Sequence, residues 1–240
     1  MMETGISNLT INGSGSYGGG LYRKVKVNGE ASVTDHLECQ AFTIMGRSKV
    51  EGNTKAETLS VYGEAELNGD LKAEKVKIYG SCLIQGDAVI KESKVRGSLD
   101  INGSYQGEQV EVKGGLTVRG DVEAEVFSSQ GQFQIDGLLN AEEVNVSLRY
   151  DHSFAGEIGG KRISIRAKGG LGEMFQLKKS MLQMKTSVIE GDEIYLECTT
   201  AEVVRGRNIE IGPGCEINII EHQGIYKKSK DSIVHEERKS

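Results

Sequence analysis

Apolar residues in this chain alternate with polar ones in short pairs, and the pairs return at a fixed interval. Leu59 and Val61, Val76 and Ile78, and Val110 and Val112 each stand just before a glycine, and Val144 and Val146 fall in the same phase. Those glycines belong to the series Gly46, Gly63, Gly80, Gly97, Gly114 and Gly131, spaced 17 residues apart. A second series follows six residues behind, at Gly52, Gly69, Gly86, Gly103, Gly120 and Gly137. Period-two alternation in runs rich in Val, Ile and Leu predicts strands, because a helical face needs spacings of three and four. A repeat this short cannot bury its own apolar side, so it must stack on copies of itself. The expected fold is all-β: a single-stranded, right-handed parallel β-helix, a triangular solenoid of about 17 residues per winding. Right-handedness is the rule for parallel crossovers. At about 3.3 Å per residue one winding traces roughly 55 Å, enough for three short strands and three corners.

The glycines fall where corners demand either φ > 0 or the close approach of another backbone. Ala56, Ala73, Ala124 and Ala141 suit a narrow core where two sides converge. Ser93 and Ser128-Ser129 interrupt the apolar pattern, and nothing in the sequence accounts for them.

In chain order the pattern predicts four parts of one continuous body. Residues 1–20 form an N-terminal winding, opened by Leu9-Thr10-Ile11, and a glycine-rich corner; 21–150 carry the regular repeat; 151–220 add windings with a basic insertion near 166–190; 221–240 are a flexible charged tail. Gly13-Ser14-Gly15-Ser16-Tyr17-Gly18 matches the dinucleotide fingerprint G-x-G-x-x-G. That motif works only where it opens a helix toward a pyrophosphate, and Leu21 through Val27 alternate as a strand, so a corner is expected there and no cofactor. After Leu148 the period loosens, with Ile163 and Ile165 following Val144 and Val146 at 19. The insertion is basic, and Met174, Phe175, Leu177, Met181, Leu182 and Met184 have the loose spacing of one face of a short helix. Two readings stand beside each other: a lid folded back on the core, or a surface that docks on an anionic membrane or a partner.

Composition sharpens this picture by subtraction. A net charge of −6 and no interleaving of basic and aromatic residues argue against nucleic-acid binding. Cys39, Cys82, Cys198 and Cys215 include no C-x-x-C pair and read as small buried hydrophobes. The start of the chain lacks a basic segment followed by an apolar run, and no apolar stretch approaches 18 residues, so a cytoplasmic protein is expected. His36, His152, His222 and His235 are scattered, with no H-E-x-x-H, G-x-S-x-G or P-loop pattern. No catalytic, cofactor-binding or metal-binding residues are therefore expected, and the chain reads as a non-enzyme. The strongest enzymatic rival is the hexapeptide-repeat acyltransferase, but its period gives 18 residues per winding, not 17.

The unit Gly63-Glu64-Ala65-Glu66-Leu67-Asn68-Gly69-Asp70-Leu71-Lys72-Ala73-Glu74, with its counterpart Gly46 through Glu57, resembles the repeat of the bactofilins, the polymer-forming cytoskeletal proteins. The resemblance covers roughly Val25 to Val146. It implies a β-helix that assembles end to end into filaments without nucleotide and serves as a bacterial cytoplasmic scaffold positioning other proteins. Typical members carry a short apolar membrane-targeting N-terminus and proline-rich tails. Met1-Met2-Glu3-Thr4 supplies no such anchor, and the extra windings after Asp151 resemble a longer, two-part branch.

Physics points the same way, since the last winding at either end of a solenoid presents unpaired strand edges that must be capped or joined. Leu9, Ile11, Ile217 and Ile219 are the expected contacts of a homopolymer. The alternative is a monomeric adaptor whose insertion, through Phe175, Lys178, Lys179 and Met181, binds the inner membrane surface or another protein.

Overall fold

The structure, a computed structural model, describes residues 7–149, 152–168 and 183–239. All regular secondary structure among them is strand, and every pairing described is parallel. The first strands are β1 (Asn8–Ile11), β2 (Ser14–Tyr17), β3 (Gly20–Val27), β4 (Glu30–Val33), β5 (Leu37–Ile44), β6 (Arg47–Val50), β7 (Thr54–Val61), β8 (Glu64–Leu67), β9 (Leu71–Ile78), β10 (Ser81–Ile84), β11 (Ala88–Val95) and β12 (Ser98–Ile101). They are followed by β13 (Tyr105–Val112), β14 (Gly115–Val118), β15 (Val122–Ser129), β16 (Gln132–Leu148), β17 (Ser153–Ala167), β18 (Met184–Leu196), β19 (Thr199–Ile211), β20 (Glu216–His222), β21 (Tyr226–Lys228) and β22 (Ile233–Lys239). The chain divides into two compact units. One runs through Glu108 and takes in Thr117–Arg119; the other holds Gln109–Leu116 and everything from Gly120 on.

From β3 to β12 each winding of the first unit is an eight-residue strand followed by a four-residue strand. Along β9 the burial alternates inward and outward, except for two consecutive exposed residues, Glu74 and Lys75, at its middle. That double step reverses the phase of the alternation and so marks a bend. The long strand therefore supplies two sides of the winding and the short one the third. Six side chains point inward per winding; for β9 and β10 they are Leu71, Ala73, Val76, Ile78, Cys82 and Ile84, all buried. Pairing with a 17-residue offset seats each on its counterpart one winding back: Ala73 on Ala56, Val76 on Leu59, Ile78 on Val61. An all-apolar column of this kind stabilises by about 1.5–3 kcal/mol per large side chain removed from water.

Close approach, rather than unusual dihedrals, is what the repeating glycines supply. Among the described glycines only Gly20 and Gly214 have φ in the left-handed region. A Cβ at Gly63 would lie 2.0 Å from the carbonyl oxygen of Gly46, and one at Gly80 the same distance from Gly63. At the following corner the obstacle is a side chain: a Cβ at Gly86 would lie 2.2 Å from Asp70 Oδ1. That oxygen accepts a hydrogen bond from the Asp87 backbone N–H at 3.0 Å. The arrangement is a ladder, with Asn53 Oδ1 accepting from Asp70 N–H and Asp87 Oδ1 from Ser104 N–H. Backbone donors at a bend, where the sheet ladder is interrupted, need such partners.

The second unit keeps the parallel stacking but changes the period. β16 and β17 pair with a register shift between Ile135 and Leu138, after which Val144 lies beside Ile163 at the expected offset of 19. β18 and β19 pair at an offset of 15, Met184 with Thr199 and Ile194 with Ile209.

Two expected segments turn out differently. Ser14–Tyr17, read as part of a glycine-rich corner, is strand β2, paired with β4. Residues 221–240, read as a flexible tail, carry β21 on β19 and β22 on β20. Polarity misled there because a terminal strand has little of its surface to bury, and charge pairing substitutes for apolar contact. Arg205 joins Glu190 at 3.1 Å and Glu221 at 2.7 Å, and Arg238 joins Glu221 at 3.3 Å.

Candidate functional site

At the N-terminal edge, β1 pairs with β3 and β2 with β4, each on one side only among the described residues. Leu9 is half-buried there and Ile11 is buried, so of the two expected contact residues Leu9 is the accessible one. The C-terminal edge is displaced from its expected place. Ile217 is buried and Ile219 half-buried because β22 lies on them, Ile217 beside Val234 and Ile219 beside Glu236. The correction follows from the folded tail: the outermost described strand is β22. Its approaches expose Ile225 (61%) and Ile233 (57%), with Val234 and Tyr226 half-buried.

This edge is held by charge. Hydrogen bonding to Arg205 in the first place holds the Glu221 carboxyl below the ordinary value, and Arg238 adds to the effect. His222, nearly buried, has Nδ1 3.1 Å from the Gly224 carbonyl oxygen and Nε2 3.2 Å from Glu237 Oε1. The carbonyl can only accept, so Nδ1 carries a proton.

Phe175, Lys178, Lys179 and Met181 lie outside the described residues. The segments flanking them are anchored. Arg166 sits 3.9 Å over the Tyr195 ring, and the Tyr195 hydroxyl donates to Glu197 Oε1 at 2.6 Å. That hydrogen bond, with burial next, pushes the phenol up to about 12. Glu197 also accepts from the Ala167 N–H at 2.7 Å, while Gln183 donates to Thr200.

All four cysteines are buried, and none is joined in a disulfide. Burial pushes the Cys39 and Cys82 thiols up to about 12 and Cys215 to about 11, so they are protonated at neutral pH. Among the described residues no group of three His, Cys, Asp or Glu could hold a metal, and no helix is long and apolar enough to cross a membrane. A groove of about 580 Å³ runs over the short-strand side of the first unit, past Ser16, Ser32, Arg47, Lys49 and Glu64. Most of its charges are paired, Arg47 with Glu64 at 2.6 Å and Lys49 with Glu66 at 3.4 Å.

A second surface feature escaped sequence reading. Met45, Tyr62, Tyr79 and Arg96 occupy one corner in four successive windings, each placed by the same bond from its backbone N–H to the carbonyl before the previous corner. Tyr62 and Tyr79 stack with ring centroids 5.0 Å apart and planes 1° from parallel. The signal was present, since these residues are 17 apart and immediately precede the leading glycines.

Fold and surface together define a class, the parallel β-solenoid, with edge strands paired on one side only among the described residues. Within that class the chain belongs to the family of the uncharacterized protein YhbE of Bacillus subtilis (strain 168), with which it is 56% identical over 221 residues, covering 92% of this chain and 93% of YhbE. The uncharacterized protein YhbF of the same organism is 44% identical over 86 residues, 36% of this chain and 34% of YhbF, so that match spans about a third of either protein. No protein-family model matches the chain. No solved structure matches it.

Proposed function

We propose that the protein is a structural scaffold that polymerises end to end, without nucleotide, into filaments on which other proteins are positioned. The observation that carries this is the pair of edge strands, β1 and β22, each hydrogen-bonded on one side only among the described residues. An unpaired parallel edge is a template for another chain, and here each edge is bordered by half-buried or exposed apolar residues, Leu9 at one and Ile225, Ile233 and Val234 at the other. The likeness of Gly63 through Glu74 to the bactofilin repeat supports the same reading. A cytoplasmic setting fits it, and the absence of a P-loop sequence fits assembly that needs no nucleotide.

Negative-stain microscopy and sedimentation of the purified chain test the proposal. Filaments are expected without ATP or GTP, Leu9→Lys or Val234→Lys should give short species that remain folded by circular dichroism, and Lys72→Glu on an outward face should leave filaments intact. Monomers of the unmodified protein at every concentration would sink the idea.

A further inference from the structure

One inward column of the second unit is apolar until its last member. Ile189, Val204 and Ile220 follow one another in register and are fully buried, yet the residue that β22 sets beside Ile220 is Glu237. The column of Ala201 and Ile217, by contrast, ends in the apolar Val234. A carboxylate at the end of a core column stays ionised while that end is wet, and the Glu237 side chain is 53% exposed. A second copy laid on β22 would enclose it. Taking an ionised carboxylate out of water without a compensating charge is strongly disfavoured, and an inward-pointing charge is one of the devices by which sheet edges resist pairing.

Here the compensating charge is built in, and it is conditional. His222 is nearly buried, with Nε2 3.2 Å from Glu237 Oε1, while Nδ1 donates to the Gly224 carbonyl oxygen at 3.1 Å. When Nδ1 holds the single proton of a neutral ring, Nε2 turns a lone pair toward the carboxylate. A second proton converts that contact into a charge-assisted hydrogen bond and leaves the pair with no net charge. Several other charged or titratable groups surround the ring. Lys239 of β22 stands in register with His222, and the Tyr226 ring of β21 lies 5.3 Å away, its phenol pushed up first by burial and then by Glu237. On β19 the residue in register is Gly206, flanked by Arg207 and by Arg205, which Glu190 and Glu221 hold. Beside His222 on its own strand, Glu221 is also met by Arg238. Lysine, arginine and glutamate side chains ordinarily keep their charge near neutrality, whereas histidine changes its charge between about pH 5 and 8.

We propose that the pair His222 and Glu237 is a proton-operated stop on the C-terminal edge: a second copy of this chain docks on β22 when His222 carries its second proton, and is turned away when the ring is neutral. This inference rests on the end-to-end reading above and supplies its regulation.

Sedimentation and negative-stain microscopy of the full chain at pH 6 and at pH 8, at one ionic strength, test it across the histidine range. Assembly should take up one proton per contact, so the critical concentration should be about tenfold lower at pH 6. Calorimetry of assembly in two buffers of different ionisation enthalpy counts that proton directly. Glu237→Gln, whose amide can donate to a neutral Nε2, should assemble at pH 8 about as well as the unmodified chain does at pH 6, and should lose the pH response. His222→Gln should stay at the pH 8 level throughout; if it fails to fold, Glu237→Gln decides alone. Glu216→Gln removes an exposed carboxylate from β20 and should keep the full response. Equal assembly at pH 6 and pH 8, or a pH response that survives Glu237→Gln, would overturn the stop and leave the filament proposal standing. Monomers in every arm, Glu237→Gln included, would overturn both.

Discussion

At the scale of single residues, the corners and the small core positions carry the specificity. The glycines that lead each winding exist because a neighbouring carbonyl occupies the space a Cβ would need, 2.0 Å away at Gly80. Gly80→Ala should therefore destabilise the first unit by about 2 kcal/mol or more in chemical denaturation, since backbone on both sides must move. Gly13→Ala, where nothing lies within 4 Å, should change stability by no more than about 0.5 kcal/mol. Ser93, unexplained by the apolar pattern, accepts a hydrogen bond from the buried Tyr105 hydroxyl at 2.8 Å. Burial, the larger effect, keeps that phenol protonated far above its usual range. Tyr105 is the bulky member of its column, Leu71, Ala88, Tyr105, and Gly107 two residues on makes room, a Cβ there meeting the Ile90 carbonyl oxygen at 2.5 Å. Tyr105→Phe should cost about 1 kcal/mol or somewhat more, because Ser93 loses its buried partner. Ser129 follows the same logic: it leaves room where Phe127 and Phe133 pack edge to face at 5.2 Å, and its hydroxyl donates to the Gly131 carbonyl at 3.1 Å.

At the scale of elements, β22 is the informative strand. Its sequence, Ile233 to Lys239, is mostly charged, and it stays on β20 through backbone pairing, Arg238 to Glu221, and Glu237 to His222. The sign of its pH dependence follows from Glu221, whose carboxyl the arginines hold below the ordinary glutamate value of about 4.5. A depressed carboxylate stabilises fully above its unfolded value and ceases to as pH falls through the folded one. Protection of the amides across residues 233–239, taken relative to their intrinsic exchange rates at each pH, should therefore fall on acidification below about pH 4.5, before that of the core strands β5 to β11. Arg238→Glu should produce the same release at neutral pH. Equal protection of β22 in the variant and the unmodified chain would contradict this account.

At the scale of the whole molecule, the open edges decide what assembly can do. A protomer altered at one edge still has the other intact, so on the polymer proposed above it acts as a chain terminator. Val234→Lys protein mixed in excess with unmodified protein should shorten filaments in proportion to its share, as counted in micrographs. Leu9→Lys, altered at the opposite edge, should do the same alone, and a mixture of the two variants should pair once and stop. Growth of long filaments in that mixture would show that the edges are not the contacts.

The repeat by itself determined the strand content, the stacking and the inward columns, because a 17-residue period with period-two alternation has one compact solution: inward side chains in register from winding to winding. It also placed Leu9 and Ile11 in the first described winding. Tertiary structure alone decided the rest. Only the pairing of the strands shows that β22 covers Ile217 and Ile219, since a strand with little to bury carries no apolar signature. The tyrosine column was spelled out at 17-residue spacing, yet the stacking of Tyr62 on Tyr79 is a relation between windings that no single stretch of chain expresses. The glycines were visible from the start; what they yield to, a carbonyl in one series and most often a side-chain oxygen in the other, belongs to the neighbouring winding.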